Sequence, residues 1–261
     1  MKVDVVIVTK NRYGLLATAT EQAKTRLPCK KLVVVDSTEH PNKAFISGLD
    51  IDVAVYTPNA KLGYARQKGL EQATTEYVVF LDDDILISFN WFHETFKRLE
   101  SSPKHAVVSS LIIFQDSKYP ELETLCTSGR QAGHSGGALI LHREKVLACG
   151  GWNKNVHFGE DYELALRLRR HGLVWTRTTA TRAFHPITLA AWLRRAFRNG
   201  KAVISLSQIG AASKGFIIAR TFMSTFVMPV YYLFRTQNSK VFYIYARFKW
   251  NFLLGCLKGL K

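Results

Sequence analysis

Three consecutive carboxylates, Asp82, Asp83 and Asp84, follow the apolar run Val78–Leu81. Neighbouring anionic groups repel, and burying them unpaired is costly. A divalent cation removes that cost and also grips the oxygens of a bound phosphate. The pattern therefore points to a metal–phosphate site; the plain alternative is a solvated turn. If the strand continues through the run, alternation turns Asp82 and Asp84 the same way. A second acidic pair, Glu160–Asp161, follows Gly159 and opens a helical pattern that runs to His171. Acids at a helix start are favoured by the helix dipole and often do no more than cap. The functional reading makes Asp161 a general base for an incoming hydroxyl, with Glu160 positioning it or the acceptor. A single displacement at a phosphate-activated carbon needs only such a base and a stabilised phosphate leaving group. No GxSxG elbow, HExxH metal pattern, GxGxxG or Walker loop offers a different chemistry.

Other residues join this set with plainer alternatives beside them. Asp36 ends a candidate strand and suits a ribose hydroxyl or a base N–H, but equally caps a turn with Ser37 and Thr38. Arg66 follows Gly63 at a helix start, where a phosphate is favoured; its alternative is an exposed helix arginine. Gly136 and Gly137 precede a strand, either letting backbone approach an acceptor or merely bending the chain. His185, before Pro186, either completes the metal shell, touches a diphosphate or has no chemical role.

The elements that must position these residues alternate. Val3–Thr9, Leu32–Val35, Val53–Tyr56 and Tyr77–Leu81 are short apolar or β-branched runs, as buried parallel strands require. Helical patterns separate or follow them near 14–25, 63–73 and 91–99. Strands are expected near 106–114, 135–141 and 173–175, and helices at 142–148 and 160–171. The fold class is thus α/β: a Rossmann-like, mostly parallel sheet with helices on both faces. Open sheets of this kind bind ligands beyond the carboxyl ends of their strands, where Asp36 and Asp82–Asp84 fall. Residues 115–134 carry no regular pattern.

Charge divides the chain. Residues 1–175 hold 22 basic and 20 acidic residues, whereas 176–261 hold 14 basic and none acidic. From Phe216 onward there are 12 aromatic residues, set in apolar runs with Leu, Ile, Val and Met. The uncharged stretch Thr221–Phe234 contains Pro229 and is short of the ~20 residues a membrane span needs. Residues 1–188 are therefore expected to form the catalytic domain. Residues 189–261 are expected to form a basic, aromatic-rich helical extension lying on an anionic membrane surface. A tilted span or a re-entrant hairpin is the other membrane reading, and internal packing or a homo-oligomer contact is the bland alternative. No nucleic acid is expected, because aromatics in long apolar runs suit lipid better than stacked bases. The four cysteines form no CxxC pair, which fits a reducing compartment. The N-terminus runs directly into a strand, so no cleaved secretory signal is expected.

The motifs VVIVTKNR (5–12), VVVDS (33–37), NAKLGYARQKG (59–69), VVFLDDD (78–84), SGGALIL (135–141) and GEDYELALRLRRHG (159–172) resemble those of the family 2 glycosyltransferases in order and spacing. The resemblance spans residues 3–188 and implies the GT-A fold and transfer from a nucleotide-diphosphate sugar, usually uridine- or thymidine-linked. It implies that Thr9, Asp36, Arg66, Asp82 and Asp83 contact the donor. Asp84, Asp82 and His185 would serve the Mg²⁺ or Mn²⁺, and Asp161, supported by Glu160, would be the base of an inverting transfer. DSTEH replaces the commoner DDGS, and Gln67 replaces a frequent Asn. No QxxRW motif is present, which favours one sugar per encounter. The basic aromatic tail resembles that of members using lipid-linked or envelope glycan acceptors at the cytoplasmic face of the cell membrane. Two rival readings stand beside this one. The first is a nucleotidyltransferase, which should carry a glycine-rich basic loop where Thr9–Arg12 stands. The second is a non-enzymatic protein binding anionic membranes or nucleic acid.

Overall fold

The computed structural model describes residues 1–128, 135–156, 158–205 and 214–259. The chain forms two compact units, Met1–Ile112 with Gly133–Phe184, and Ile113–Ala132 with His185–Lys261. The break near 184 lies close to the expected boundary at 188, but the segment from Ile113 joins the C-terminal helices. Six of the residues in the patternless stretch, 129–134, lie outside the described part.

The strands are β1 (Val3–Thr9), β2 (Cys29–Asp36), β3 (Val53–Tyr56), β4 (Tyr77–Asp82), β5 (Leu86–Ile87), β6 (His105–Gln115), β7 (Ala138–His142) and β8 (Val174–Pro186). The helices are α1 (Tyr13–Arg26), α2 (Lys43–Ser47), α3 (Leu62–Gln72), α4 (Trp91–Glu100), α5 (Glu121–Ser128), α6 (Arg143–Ala148), α7 (Glu160–Arg170), α8 (Leu189–Ser205), α9 (Lys214–Thr236) and α10 (Ser239–Lys258). The sheet order is β3-β2-β1-β4-β7-β6-β8-β5. From β1 the chain crosses leftward through α1 to β2, and from β3 it crosses rightward through α3 to β4. Right-handed crossovers in opposite directions put α1 and α3 on opposite faces. Accordingly Val6, Val8, Val33 and Val35 pack with Ala65 and Leu70 of α3, while Val5, Ile7, Leu32 and Val34, pointing the other way, are equally buried.

The sheet is mixed rather than mostly parallel. The pairs β1–β2, β1–β4 and β2–β3 are parallel, but β4–β7, β6–β7 and β5–β8 are antiparallel. The expectation failed for a physical reason: a continuous apolar run reports burial on both faces, not strand direction. β6 is buried along its first nine residues, yet it runs against β7. The expected strand at 173–175 extends to Pro186, since its threonines alternate between buried and exposed positions.

α7 forms as its sequence dictates. Gly159 enters with φ 77°, Glu160, Asp161 and Glu163 occupy the first turn, and Arg167, Arg169 and Arg170 the last. Glu163 accepts from Arg167 Nε at 2.6 Å one turn on.

In the second unit α5 and α8–α10 pack around Leu122, Leu125, Trp192, Leu193, Tyr232, Val241 and Ile244. Trp192 stacks on Phe248 with centroids 4.2 Å apart. α8 and α10 cross at glycines, since a Cβ on Gly200 would stand 2.0 Å from Phe252 O, and one on Gly255 2.0 Å from Phe197 O. α9 leaves Phe222, Met223, Phe226, Val227, Val230, Tyr231 and Phe234 exposed, at the spacing of one helical stripe. Its segment Ile217–Thr236, of mean hydropathy 1.4, is long and apolar enough by length and composition to cross a membrane.

Candidate active site

Strand register assembles the first part of the site. Thr9 pairs with Asp36, and Asp36 with Tyr56, so the ends of β1, β2 and β3 lie level. Val8 pairs with Asp82, which brings Thr9 beside Asp83. β2 and β3 lie on one side of β1 and β4 on the other, so this is a topological switch point, where open sheets take their ligands.

β4 ends at Asp82, and a turn follows in which Ile85 N donates to Asp82 O at 3.2 Å. The strand alternation therefore stops at Asp82 and does not set the direction of Asp84. Asp83 points inward, accepting from Thr9 Oγ1 at 2.6 Å. Arg12 Nη2 lies 3.0 Å from Asp83 Oδ1, and Arg12 Nη1 is hydrogen-bonded to Asp84 Oδ2. Burial pushes the Asp83 carboxyl up to about 7 despite these partners. Burial also opposes the charge on Arg12, but Asp84 and Asp83 outweigh it and hold the guanidinium above its ordinary value. Asp36 accepts from Thr38 N at 2.8 Å and Tyr13 Oη at 3.0 Å. The turn-cap alternative for Asp36 is thus realised through Thr38, with Tyr13 as an additional partner. A cavity of about 450 Å³, lined by Tyr56, Thr57, Lys61, Tyr64 and Lys154 among others, opens beside this edge rather than over the carboxylates.

Arg66 joins the second part to the first. It is neither an exposed helix arginine nor held out to solvent, being 2% exposed. Its Nη2 donates to Asp82 Oδ1 at 2.9 Å and its Nη1 to Glu160 Oε1 at 2.7 Å. The guanidinium lies over the Trp152 ring, 5.0 Å from its centroid. Burial pushes the Glu160 carboxyl up, to about 7, against the pull of Arg66. Asp161 accepts from Gly136 N at 3.3 Å and from Tyr162 N at 2.7 Å. Gly137 O accepts from Asp82 N at 2.8 Å. The two glycines therefore let the Arg66 guanidinium and the acidic residues meet: a Cβ on Gly136 would stand 1.9 Å from Arg66 Nη1. The structure thus gathers Thr9, Asp36, Arg66, Asp82, Asp83, Asp84, Glu160 and Asp161 within one unit.

His185 belongs to the second unit, at the end of β8, with its ring 5.4 Å from that of Phe114 and Nδ1 3.3 Å from Pro186 O. Among the described residues no group of three or more His, Cys, Asp or Glu is disposed as a ready metal cage. The donors nevertheless suit a hard cation. Asp82 and Asp84 offer carboxylate oxygens and are partly exposed, and Mg²⁺ commonly takes only one or two carboxylates and completes its shell with phosphate oxygens and water. All four cysteines are free.

Sequence reasoning gave Arg12 and Tyr13 no role of their own. Their signal was their place straight after β1, at the sheet edge where the aspartates lie.

Residues 4–151 match the Glycosyl transferase family 2 profile. The "Pre-mycofactocin glycosyltransferase" of two Mycobacterium tuberculosis strains is 26% identical over 227 residues, 76% of this chain and 46% of that protein. The chain therefore spans about half the length of the curated relatives it matches. The fold is similar to a mannosyltransferase of Pyrobaculum calidifontis solved with GDP-Man and Mn²⁺, at a TM-score of 0.67 and 17% identity, covering 99% of this chain and 86% of that one. It is also similar to glucosyl-3-phosphoglycerate synthase of Mycobacterium tuberculosis, solved with Mn²⁺, UDP and glucosyl-3-phosphoglycerate, at a TM-score of 0.51 and 16% identity, covering 78% and 79%.

Proposed function

The chain belongs to glycosyl transferase family 2, and on that premise we propose that it moves a sugar from a uridine- or thymidine-diphosphate donor to a hydroxyl of a lipid-linked or envelope glycan, with inversion and one sugar per encounter. One observation carries this reading: Arg66 bridges Asp82 to Glu160 at 2.9 and 2.7 Å, tying the phosphate end of the site to the acid pair that faces an acceptor. Family membership sets aside the nucleotidyltransferase and the non-enzymatic readings.

In this reading Thr9, Asp36 and the β3 edge seat the nucleoside. Asp84 and Asp82 would hold Mg²⁺ or Mn²⁺, and Asp83 and Arg66 belong to the donor-facing set. The cation supplies positive charge to the departing diphosphate. Asp161 takes the acceptor proton while the new bond forms at the anomeric carbon and the bond to the diphosphate oxygen breaks. Its two backbone donors, Gly136 N and Tyr162 N, fix the direction of the carboxylate. Glu160, held by Arg66, positions the turn from which Asp161 projects.

Residues 1–188 form the catalytic part of this proposal and 189–261 the membrane-associating part. The exposed stripe of α9, on a segment of the chain with no acidic residues, supports peripheral attachment to an anionic leaflet at the cytoplasmic face. Three experiments test these readings. A panel of nucleotide sugars with Mn²⁺ or Mg²⁺ should show nucleoside diphosphate release with one donor. Asp161→Asn should still bind nucleotide yet lose transfer about 10²–10⁴-fold; near-wild-type turnover removes Asp161 from the base role. Replacing Phe222, Phe226 and Phe234 together by Ser should abolish binding to anionic vesicles, and unchanged binding refutes the membrane assignment.

A further inference from the structure

Two arginines neutralise the acidic run, and they are held very differently. Arg66 is 2% exposed, gripped by Glu160 and Asp82, covered by Trp152 and closed in by Gly136. It has nowhere to go. Arg12 is 43% exposed and forms ion pairs with Asp83 and Asp84. It precedes α1 in a short turn whose Asn11 has φ 59°, pinned by Asn11 N donating to Thr38 Oγ1 at 2.9 Å. The backbone is thus fixed while the long side chain lies at the surface. Asp84, the carboxylate assigned to the cation, is the one Arg12 covers.

A carboxylate wrapped by a guanidinium cannot give the same oxygen to a cation at no cost, because the ion pair must first be separated. Once a cation sits at Asp84, the guanidinium faces a positive charge and is repelled from it. The nearest new anion is the donor's diphosphate, which arrives at the same edge in the function proposed above. Arginine is suited to that exchange, because its planar fork matches carboxylate and phosphate alike.

We propose that Arg12 is an exchangeable counter-ion: in the free enzyme it occupies Asp83 and Asp84, and when the cation and nucleotide diphosphate bind it transfers to the diphosphate oxygens. This inference rests on the metal-dependent reading of the site. It assigns Arg12 two effects of opposite sign, which a structural role would not produce. Arg12 weakens cation binding in the absence of nucleotide and strengthens nucleotide binding in the presence of cation. Binding is thereby ordered, with cation and donor entering together.

The test measures Mn²⁺ binding by the loss of the free-ion electron paramagnetic resonance signal, with and without UDP, on the full chain. The proteins are wild type, Arg12→Gln, Arg12→Lys and Asp84→Asn, each checked for folding by circular dichroism. Without UDP, R12Q should bind Mn²⁺ about 10- to 100-fold more tightly than wild type, the range of one charge-assisted contact removed. With Mn²⁺ saturating, R12Q should bind UDP about tenfold or more weakly, and R12K should fall between on both measurements. Unchanged or weaker Mn²⁺ binding by R12Q, while D84N loses Mn²⁺, overturns the exchange and leaves the metal-dependent reading standing. Absence of Mn²⁺ binding by any of the four, even with UDP, overturns both.

Discussion

Substituting Gly136 by Ala tests whether the Arg66 bridge organises the site. The added Cβ would stand 1.9 Å from Arg66 Nη1, 2.6 Å from Cζ and 2.7 Å from Nη2. Those atoms end a flexible side chain, which at a surface would step aside. Here the guanidinium is buried and held by Glu160 at 2.7 Å and Asp82 at 2.9 Å. Moving it breaks a buried pair, a change that costs about 3–5 kcal/mol when one partner is left uncompensated. Keeping it in place forces the backbone to shift, an overpacking cost of about 1–3 kcal/mol. The chain takes the cheaper course, so the expected loss lies at about 1–3 kcal/mol, read as a shift in urea midpoint at constant slope. Gly14 is the control, since nothing lies within 4 Å of its added Cβ and α1 tolerates Ala there. Arg66→Lys removes both Nη atoms while keeping a positive charge. In that background the Gly136→Ala penalty should shrink by at least half. An effect below about 0.5 kcal/mol in wild type, the scale of an unremarkable surface change, would refute the reasoning. So would an equal penalty in both backgrounds.

Three further outcomes follow from the same geometry. Burial lifts Asp83 from 3.8 to about 7, so between those values the folded chain keeps a proton that the unfolded chain has released. Stability should then fall as pH rises from about 4 to 7 and level off above, with Asp83 contributing up to about 1.4 kcal/mol per pH unit. Glu160 adds to the slope with the same sign, so the difference between wild type and D83N across a pH series isolates Asp83; identical slopes remove it. Gly200→Ala and Gly255→Ala place a Cβ 2.0 Å from a backbone carbonyl of the facing helix, which cannot rotate away. Each should cost about 1–3 kcal/mol and alter the near-ultraviolet dichroism of Trp192, which stacks on α10. Chelation should abolish transfer and Mn²⁺ restore it, with D84N needing more Mn²⁺ for half-maximal rate; activity unaffected by chelator refutes the metal requirement.

The sheet edge was legible because each strand carries its own signal. Val53–Tyr56 begins and ends where its β-branched run does, and the aspartates ending the second and fourth strands mark the carboxyl edge of the sheet. Strand direction was not legible in β6 and β7, whose apolar runs look alike whichever way they run. Thr178 and Thr181 hid most of β8, since a threonine-rich strand carries no apolar run. α5 carries Leu122, Leu125 and Cys126 at helical spacing, but its eight residues are too short a run for that periodicity to announce it. The partners of Arg66 were beyond sequence reasoning for a different reason. Residues 66 and 160 are 94 positions apart, and only the packing of α3 against the start of α7 brings them together.

That pairing matters beyond its energy. The family match ends at residue 151, so Glu160 and the proposed base Asp161 lie outside the matched segment, whereas Asp82 and Arg66 lie within it. Membership alone therefore does not connect Asp161 to the donor end. The connection runs through three contacts of this chain: Arg66 to Glu160, Gly136 N to Asp161, and Asp82 N to Gly137 O. The first crosses directly, and the other two do so in relay through adjacent glycines with no side chain to intervene. A base must lie within hydrogen-bond reach of the hydroxyl it serves, and effective positioning tolerates little displacement. Contacts made by backbone groups and a buried guanidinium hold that geometry with few rotatable bonds. The Arg66 bridge thus brings together carboxylates far apart in the sequence, Asp82 and Glu160.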